Sequence, residues 1–148
     1  MGPQGPQGLP GSGGGGDRYV GVPALRLMDA SNQEIGAYEN PDLVAMQVGT
    51  ELVTASVQLE NRAFLNQAPV YYYASTGCTA TPMMYLDLRR YGSVLGTTLY
   101  YPTGNGARLD IHSFTDGESC FDTVWNATFA TVGTASVAAF VAPFAITR

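Results

Sequence analysis

Apolar and polar side chains alternate along the chain from Leu43 onward. Residues two positions apart lie on the same side of an extended strand, so this alternation predicts strands with one buried and one solvated face. A break at Gly49-Thr50 separates two such segments. The apolar sets that we expect to face a common core are Val44, Met46 and Val48 before the break, and Val53, Ala55, Val57 and Leu59 after it.

Short segments of similar character continue to the end of the chain, and their separators are rich in Gly, Asn, Asp, Ser and Pro. The further strands predicted in this way are residues 22–28, 70–74, 83–88, 94–101, 108–114, 121–132 and 136–146. The sequence Thr-Gly-Asn-Gly at residues 103–106 predicts a tight hairpin turn. Roughly eight to ten short strands at this spacing predict an all-β fold, an antiparallel β-sandwich or jelly roll.

The segment at residues 29–36 supplies turn-forming residues between two short strands. Its oxygen-bearing side chains, among them Asp29 and Glu34, also suggest a calcium loop. However, it lacks the glycine at the sixth place and the glutamate at the twelfth place of an EF-hand loop. An ordinary hairpin turn is therefore the better prediction.

Residues 136–146 differ from the other segments because both faces of the predicted strand are apolar. One face carries Val137, Ala139 and Val141, and the other carries Ala138, Phe140, Ala142, Phe144 and Ile146. Such a strand must be covered on both sides. We expect it either to lie at the centre of the sandwich or to pack one face against symmetry mates at a threefold axis.

Glycine recurs at every third position at the start of the chain, at Gly2, Gly5, Gly8, Gly11 and Gly14. Collagen requires this phase, because only glycine fits where three polyproline-type chains meet at their common axis. The phase therefore predicts a homotrimer. A flexible linker rich in proline and glycine is the alternative interpretation.

We divide the chain into a collagen-like stub with a glycine-rich hinge, residues 1–16, and one all-β head domain, residues 17–148. A head of this length can bury roughly two-thirds of its unfolded surface as a single domain. The stub is too short to hold three chains together alone. We therefore expect the head to carry most of the assembly.

Composition restricts the possible partners. The chain has a formal net charge of -5, and its basic residues are seven arginines without any lysine. Nucleic acid requires a basic stripe that displaces counterions from phosphates, and an anionic membrane surface has a similar requirement, so neither partner is expected. The sequence contains no apolar run long enough to span a bilayer, and no signal peptide is visible.

The two cysteines, Cys78 and Cys120, both lie among turn-forming residues. In an extracellular protein such a pair most often forms a disulfide, which here would stabilise the fold by about 4 kcal/mol. Two free buried thiols are the alternative. No metal site or cofactor is expected, because the chain has no CxxC motif and only one histidine.

Motifs of known catalytic sites are scarce. A Walker loop needs a lysine, which this chain lacks, and the motifs GxSxG and HExxH are also absent. His112 shares a predicted strand face with Arg108 and Asp110, but Ser113 points to the opposite face, so an exposed polar stripe is a better interpretation than a catalytic triad. Paired carboxylates that hydrolyse polysaccharides remain an alternative, and the candidates are Asp87, Asp110, Asp116, Glu118 and Asp122.

Arginines and tyrosines form the best candidate for a ligand or subunit surface. Tyrosine combines a large ring with a hydroxyl group, and it serves sheet packing, subunit contacts and sugar platforms alike. All three uses stay open for this chain. The candidate residues are Arg89, Arg90, Tyr91, Tyr100, Tyr101 and His112.

Short motifs in the head give it a resemblance to a known group of proteins. They are LMDASNQEIG at residues 27–36, YASTGC at 73–78, LYYP at 99–102 and IHS at 111–113, with Cys120 beyond them. Together with the triplets at residues 3–11, these motifs resemble the C-terminal head and repeats of bacterial, or phage tail-fibre, collagen-like surface proteins.

The resemblance implies a trimeric head on a collagen-like stalk, displayed on a cell surface or tail fibre and used for attachment to a surface glycan or protein receptor. Relatives that bind sulfated glycans would show a basic patch, whereas Arg89-Arg90 is the one adjacent basic pair here. Our leading hypothesis is a non-enzymatic trimerisation and attachment module. A polysaccharide-cleaving enzyme and a structural cap that registers the collagen chains are the alternatives.

Overall fold

The described part of the protein, residues 25–39 and 42–148 of a computed structural model, has β-strands as its main secondary structure, joined by loops and turns. The predicted stub and hinge, and the start of the predicted strand at residues 22–28, lie outside the described residues. Within the described ranges, no helix is long and apolar enough to cross a membrane. The strands are β1 (Arg26–Met28), β2 (Glu34–Glu39), β3 (Leu43–Val48), β4 (Glu51–Gln58), β5 (Ala63–Phe64), β6 (Tyr71–Tyr73), β7 (Met83–Tyr85), β8 (Arg90–Tyr91), β9 (Ser93–Leu95), β10 (Thr98–Pro102), β11 (Ala107–Thr115), β12 (Cys120–Ser136) and β13 (Ala145–Thr147).

The first sheet is built mainly from the first half of the chain. Its strand order is β13-β1-β2-β3-β4-β5, and neighbouring strands on this path are antiparallel. The short strand β8 runs parallel to β4, with Arg90 opposite Val53 and Tyr91 opposite Thr54. This pairing attaches β8, which the alternation did not predict, to the edge of the sheet.

The second sheet contains the remaining strands in the order β9-β10-β12-β11-β6-β7. The strand β7 also pairs with β12, where Tyr85 lies opposite Phe129, so β12, β11, β6 and β7 close into a ring. The long strand β12 serves two parts of this sheet. Its residues 120–129 pair with β11, and its residues 132–136 pair with β10.

The two sheets pack against each other through their apolar faces, which confirms the predicted all-β sandwich. The main core contains Leu27, Ile35, Val44, Met46, Val53, Ala55, Val57, Val94, Leu99, Val137 and Phe144. A second cluster joins side chains from all four strands of the ring, and its buried members are Ile111, Ala127 and Phe129.

The predicted alternation is confirmed in β3 and β4, where the expected apolar residues are buried. Val44 and Met46 face the main core, as do Val53, Ala55 and Val57. Three residues depart from the prediction. Val48 is only partly buried, Thr54 on the face predicted to be solvated is buried, and Leu59 is 47% exposed because β4 ends at Gln58.

Two connections differ from the predictions for residues 94–106. The single strand predicted at 94–101 is a hairpin of β9 and β10, because Gly96 adopts a φ of 64° and turns the chain. The turn at residues 103–106 does not close a hairpin. It links β10 to β11, and these strands pair with β12 rather than with each other: Pro102 lies opposite Val132, and Ala107 lies opposite Phe129.

The strand predicted at residues 136–146 is also wrong. Most of the segment is a loop, and the short strand β13 begins only at Ala145 and pairs with β1. Val137 and Phe144 are buried in the main core, so the loop is apolar because it packs inward. Arg62 supports its end, because the backbone N–H of Phe144 donates to the Arg62 carbonyl and the Arg62 Nε donates to the Phe144 carbonyl.

A disulfide joins Cys78 and Cys120, as predicted. It connects the 3-10 turn at Thr76–Cys78 to the first residue of β12. The backbone N–H of Gly77 adds a hydrogen bond of 2.9 Å to the Asp122 carboxylate. The start of β12 is therefore fixed to the body of the second sheet, and the bond is compatible with an extracellular location.

Candidate functional site

A groove of about 380 Å³ lies on the first sheet, between the end of β2, the start of β4 and the residues around β8. The parallel pairing of β8 with β4 places the Arg89-Arg90 pair beside strands that are distant in sequence. The lining residues with polar or exposed apolar side chains relevant to binding are Glu39, Glu51, Leu52, Leu88, Arg89 and Arg90.

Each arginine of the groove is paired with a glutamate. The Arg89 guanidinium donates to the Glu39 carboxylate, and this hydrogen bond raises the pKa of Arg89 above its usual value. The Arg90 Nη2 atom lies 3.6 Å from the Glu51 Oε2 atom, and both side chains are about one-fifth exposed. Since the two pairs cancel in charge, the groove offers hydrogen-bond donors and acceptors without net charge.

The inner of these two pairs is part of the fold as well as of the groove. The Arg90 Nη1 atom donates to the Pro102 carbonyl over 3.0 Å, and the Glu51 Oε2 atom accepts the N–H of Gly104 over 2.7 Å. Arg90 and Glu51 therefore connect the first sheet to the turn after β10. The outer pair, Arg89 and Glu39, is the more accessible to a ligand.

Apolar side chains border this neutral floor. Leu88 is fully exposed, Leu52 is 53% exposed, and Tyr91 beside the groove is 46% exposed. Exposed apolar groups next to convergent polar groups are typical of ligand sites. The arrangement suits a ligand that has hydroxyl groups to bond and apolar C–H surfaces to cover.

The other three predicted surface residues lie away from the groove. Tyr101 packs against the main core. Burial raises the pKa of Tyr71, and the neighbouring hydroxyl groups of Tyr100 and Tyr73 raise it further. Tyr100 therefore belongs to a group of tyrosines on the second sheet. On β11, the His112 Nδ1–H donates to the Ala74 carbonyl over 2.8 Å. The structure thus brings together Arg89, Arg90 and Tyr91 but not all six candidates.

Ser113 has a structural environment that separates it from His112. It is completely buried, and its Oγ donates to the Ser75 carbonyl while it accepts the Cys78 N–H over 2.8 Å. Both bonds hold the segment that contains the disulfide against β11. The hydroxyl is therefore occupied by the fold.

The carboxylates proposed for polysaccharide hydrolysis are mostly engaged in local hydrogen bonds. Asp110 accepts from the Asn126 amide, Asp122 from the Gly77 N–H, and Asp87 from the Leu88 N–H. The N–H groups of Ser119 and Glu118 lower the pKa of Asp116. Among residues 25–39 and 42–148, no three His, Cys, Asp or Glu side chains cluster as a metal site would require.

Asp29, the main residue of the possible calcium loop, turns its carboxylate toward the protein. Its Oδ2 atom accepts the Val141 N–H at 2.9 Å, and its Oδ1 atom accepts the N–H groups of Gln33 and Ser31 at 2.8 and 2.9 Å. These hydrogen bonds hold the pKa of Asp29 below its usual value, and the bond from the Val141 N–H has the largest effect. The carboxylate thus closes the predicted hairpin turn and ties it to the loop before β13.

A second exposed surface lies on the first half of β12, at Phe121, Val124 and Trp125, which are 44%, 70% and 38% exposed. Phe121 and Val124 were not predicted from the sequence as surface residues. Glu39 and Glu51 were not predicted as site residues either, because pairing across separate strands leaves no periodic signal. Phe121 and Val124 lie in a strand segment whose residues are all exposed. Predicting that exposure would have required knowledge of the strand register.

Comparison with protein-family models, with curated protein sequences and with solved structures finds no match for this chain.

Proposed function

We propose that this protein is a non-enzymatic attachment head that assembles as a trimer on a collagen-like stalk. The groove beside β8 is the observation that carries this proposal, because its floor of two arginine–glutamate pairs is neutral and its border is apolar. The glycine phase at residues 2–14 supports the trimer. The disulfide supports display outside the cell, on a cell surface or a tail fibre.

The ligand that best fits the groove is an uncharged surface glycan. Sulfate groups are bound most strongly by guanidinium groups that are free to make charge-assisted hydrogen bonds. Here Arg89 already bonds Glu39, and Arg90 is held by Glu51 and the Pro102 carbonyl. Sugar hydroxyls can bond to these paired groups without leaving a charge uncompensated, while Leu88 and Tyr91 cover the apolar faces of the ring.

Assembly into a trimer would make weak binding in each groove useful. A shallow neutral site binds a single sugar weakly, because its hydrogen bonds replace equally good bonds to water. Three grooves on one rigid head can engage the same glycan-covered surface together. Avidity then exceeds the affinity of one site by orders of magnitude if the spacing permits simultaneous contact.

Binding of the full chain to an array of neutral and sulfated glycans tests the proposed ligand class. We expect neutral glycans to bind, Arg89→Ala and Tyr91→Ala to weaken binding, and Arg108→Ala, which removes an exposed arginine outside the groove, to leave it unchanged. Binding confined to sulfated glycans, or unaffected by the groove variants, would contradict the proposal. Release of reducing sugar ends would instead favour the polysaccharide-cleaving alternative.

Light scattering of the full chain tests the trimer. We expect a mass of three chains of 15.7 kDa each. The double variant Gly5→Ala/Gly8→Ala introduces side chains at the collagen axis. If the head holds the assembly, the trimer persists in this variant. A monomeric wild-type protein at micromolar concentration would contradict the proposal, whereas a trimer that binds no glycan or receptor would favour the structural cap.

A further inference from the structure

The two halves of β12 pair with different strands. Phe129 pairs with both β11 and β7, residues 130 and 131 pair with β7, and residues 132–136 pair with β10. Residues 120–127 pair only with β11 among the described residues. A strand edge of this length presents unpaired backbone N–H and C=O groups, which natural proteins usually cover or blunt with charges.

This open half carries three exposed apolar side chains, Phe121, Val124 and Trp125, and its two aromatic rings continue an aromatic cluster inside the ring of strands. Phe121 stacks on Phe114 with ring centres 5.2 Å apart. Trp125 contacts Tyr85 and Phe129, with centroid distances of 4.8 and 5.3 Å. Trp125 and Phe121 are thus anchored on one side and open on the other, as are the aromatic residues that dominate subunit interfaces.

Covalent and polar contacts hold this edge in one position. The disulfide fixes Cys120, and the Gly77 N–H holds the carboxylate of Asp122. Asp122 is the one charged residue among residues 120–127, so a molecule that approaches the edge meets a single carboxylate there, held by the Gly77 N–H. An ordered edge loses little conformational entropy on association, which favours binding.

We propose that a second copy of this chain docks on the outer edge of β12, over Phe121, Val124 and Trp125. The inference rests on the proposed function, because the glycine phase in residues 2–14 holds identical chains together next to the head. Copies with a formal charge of -5 repel each other, so they associate most favourably through a segment that carries few charges. In a threefold assembly the three edges face neighbouring copies, and each copy covers the surface that the fold leaves open.

Matched charge substitutions in the full chain test this interface. Val124→Asp places a carboxylate on the proposed contact, and Ile146→Asp places one at another exposed apolar strand position, on the first sheet and outside the groove. Both sites are solvent-exposed, so neither change should disturb folding. We expect Val124→Asp to shift the mass in light scattering from trimer to monomer, and Ile146→Asp to leave the trimer intact.

Trp125 is the only tryptophan in the chain, so its fluorescence reports directly on this edge. On dissociation of the wild-type trimer, we expect its emission to shift to the red and its quenching by acrylamide to increase. Circular dichroism of Val124→Asp, with Val124→Lys as a second variant, separates dissociation from unfolding. A Val124→Asp protein that stays trimeric, or a trimer lost only in Ile146→Asp, would overturn the interface and leave the proposed trimer standing. A monomeric wild type would overturn both.

Discussion

Removal of the disulfide should lower the stability of the fold by an amount that the structure allows us to calculate. The bond closes a loop between residues 42 positions apart, which contains β7 to β11. In the chain-entropy model a loop of this length restricts the unfolded chain by about 4 kcal/mol. The variant Cys78→Ala/Cys120→Ala removes the bond and leaves the Cys78 N–H free to keep its bond to Ser113.

Urea unfolding at a fixed protomer concentration measures this loss. Native domains are stable by about 5–15 kcal/mol, so the double variant should remain folded but only marginally stable. With a slope of about 2 kcal/mol per molar urea, the midpoint should fall by about 2 M. The protein concentration must be the same for both proteins, because association contributes to apparent stability.

The reduced wild-type protein is the matched control. Its midpoint should coincide with that of the double variant, and the reductant should have no effect on the variant itself. A loss below about 1 kcal/mol would show that loop closure contributes little and would refute the calculation. The unfolded state would then retain structure that keeps residues 78 and 120 close without the bond.

Two further predictions concern buried polar groups. Ser113→Ala should lower the free energy of unfolding by about 1–3 kcal/mol, because the buried Ser75 carbonyl and Cys78 N–H lose their partner; urea unfolding checks this, and an unchanged midpoint would contradict it. Since hydrogen bonds lower the pKa of Asp29 in the folded state, wild-type stability should be fully present above about pH 4 and fall as the pH drops through the folded pKa. Asp29→Asn should be less stable at neutral pH and lose part of this acid dependence in denaturation series from pH 6 to 2; identical slopes for both proteins would count against the assignment.

The groove and the edge of β12 lie on different sheets, so attachment and assembly need not compete for one surface. The groove is formed by β2, β4 and β8, whereas the open edge belongs to the second sheet. Variants of one surface should therefore leave the other function unchanged. This separation allows the glycan and light-scattering experiments to be interpreted independently.

Much of the fold could be predicted because strand alternation is a local property. Val53, Ala55 and Val57 are spaced by two residues, and burial follows from that spacing alone. The disulfide was also predictable, since the chain contains only two cysteines. The loop before β13 was not, because Val137 and Phe144 pack inward through tertiary contacts rather than through periodicity.

The sequence by itself determined the all-β class, the positions of most strands, the choice of Arg89, Arg90 and Tyr91 as candidates, and the glycine phase that predicts three chains. Each of these depends on residues that are close together in the chain. Only the tertiary structure decided that Arg89 meets Glu39, which lies 50 positions away, and that the first half of β12 keeps an open edge. Strand register and sheet closure bring such residues together, and they depend on the packing of the whole chain rather than on any local pattern.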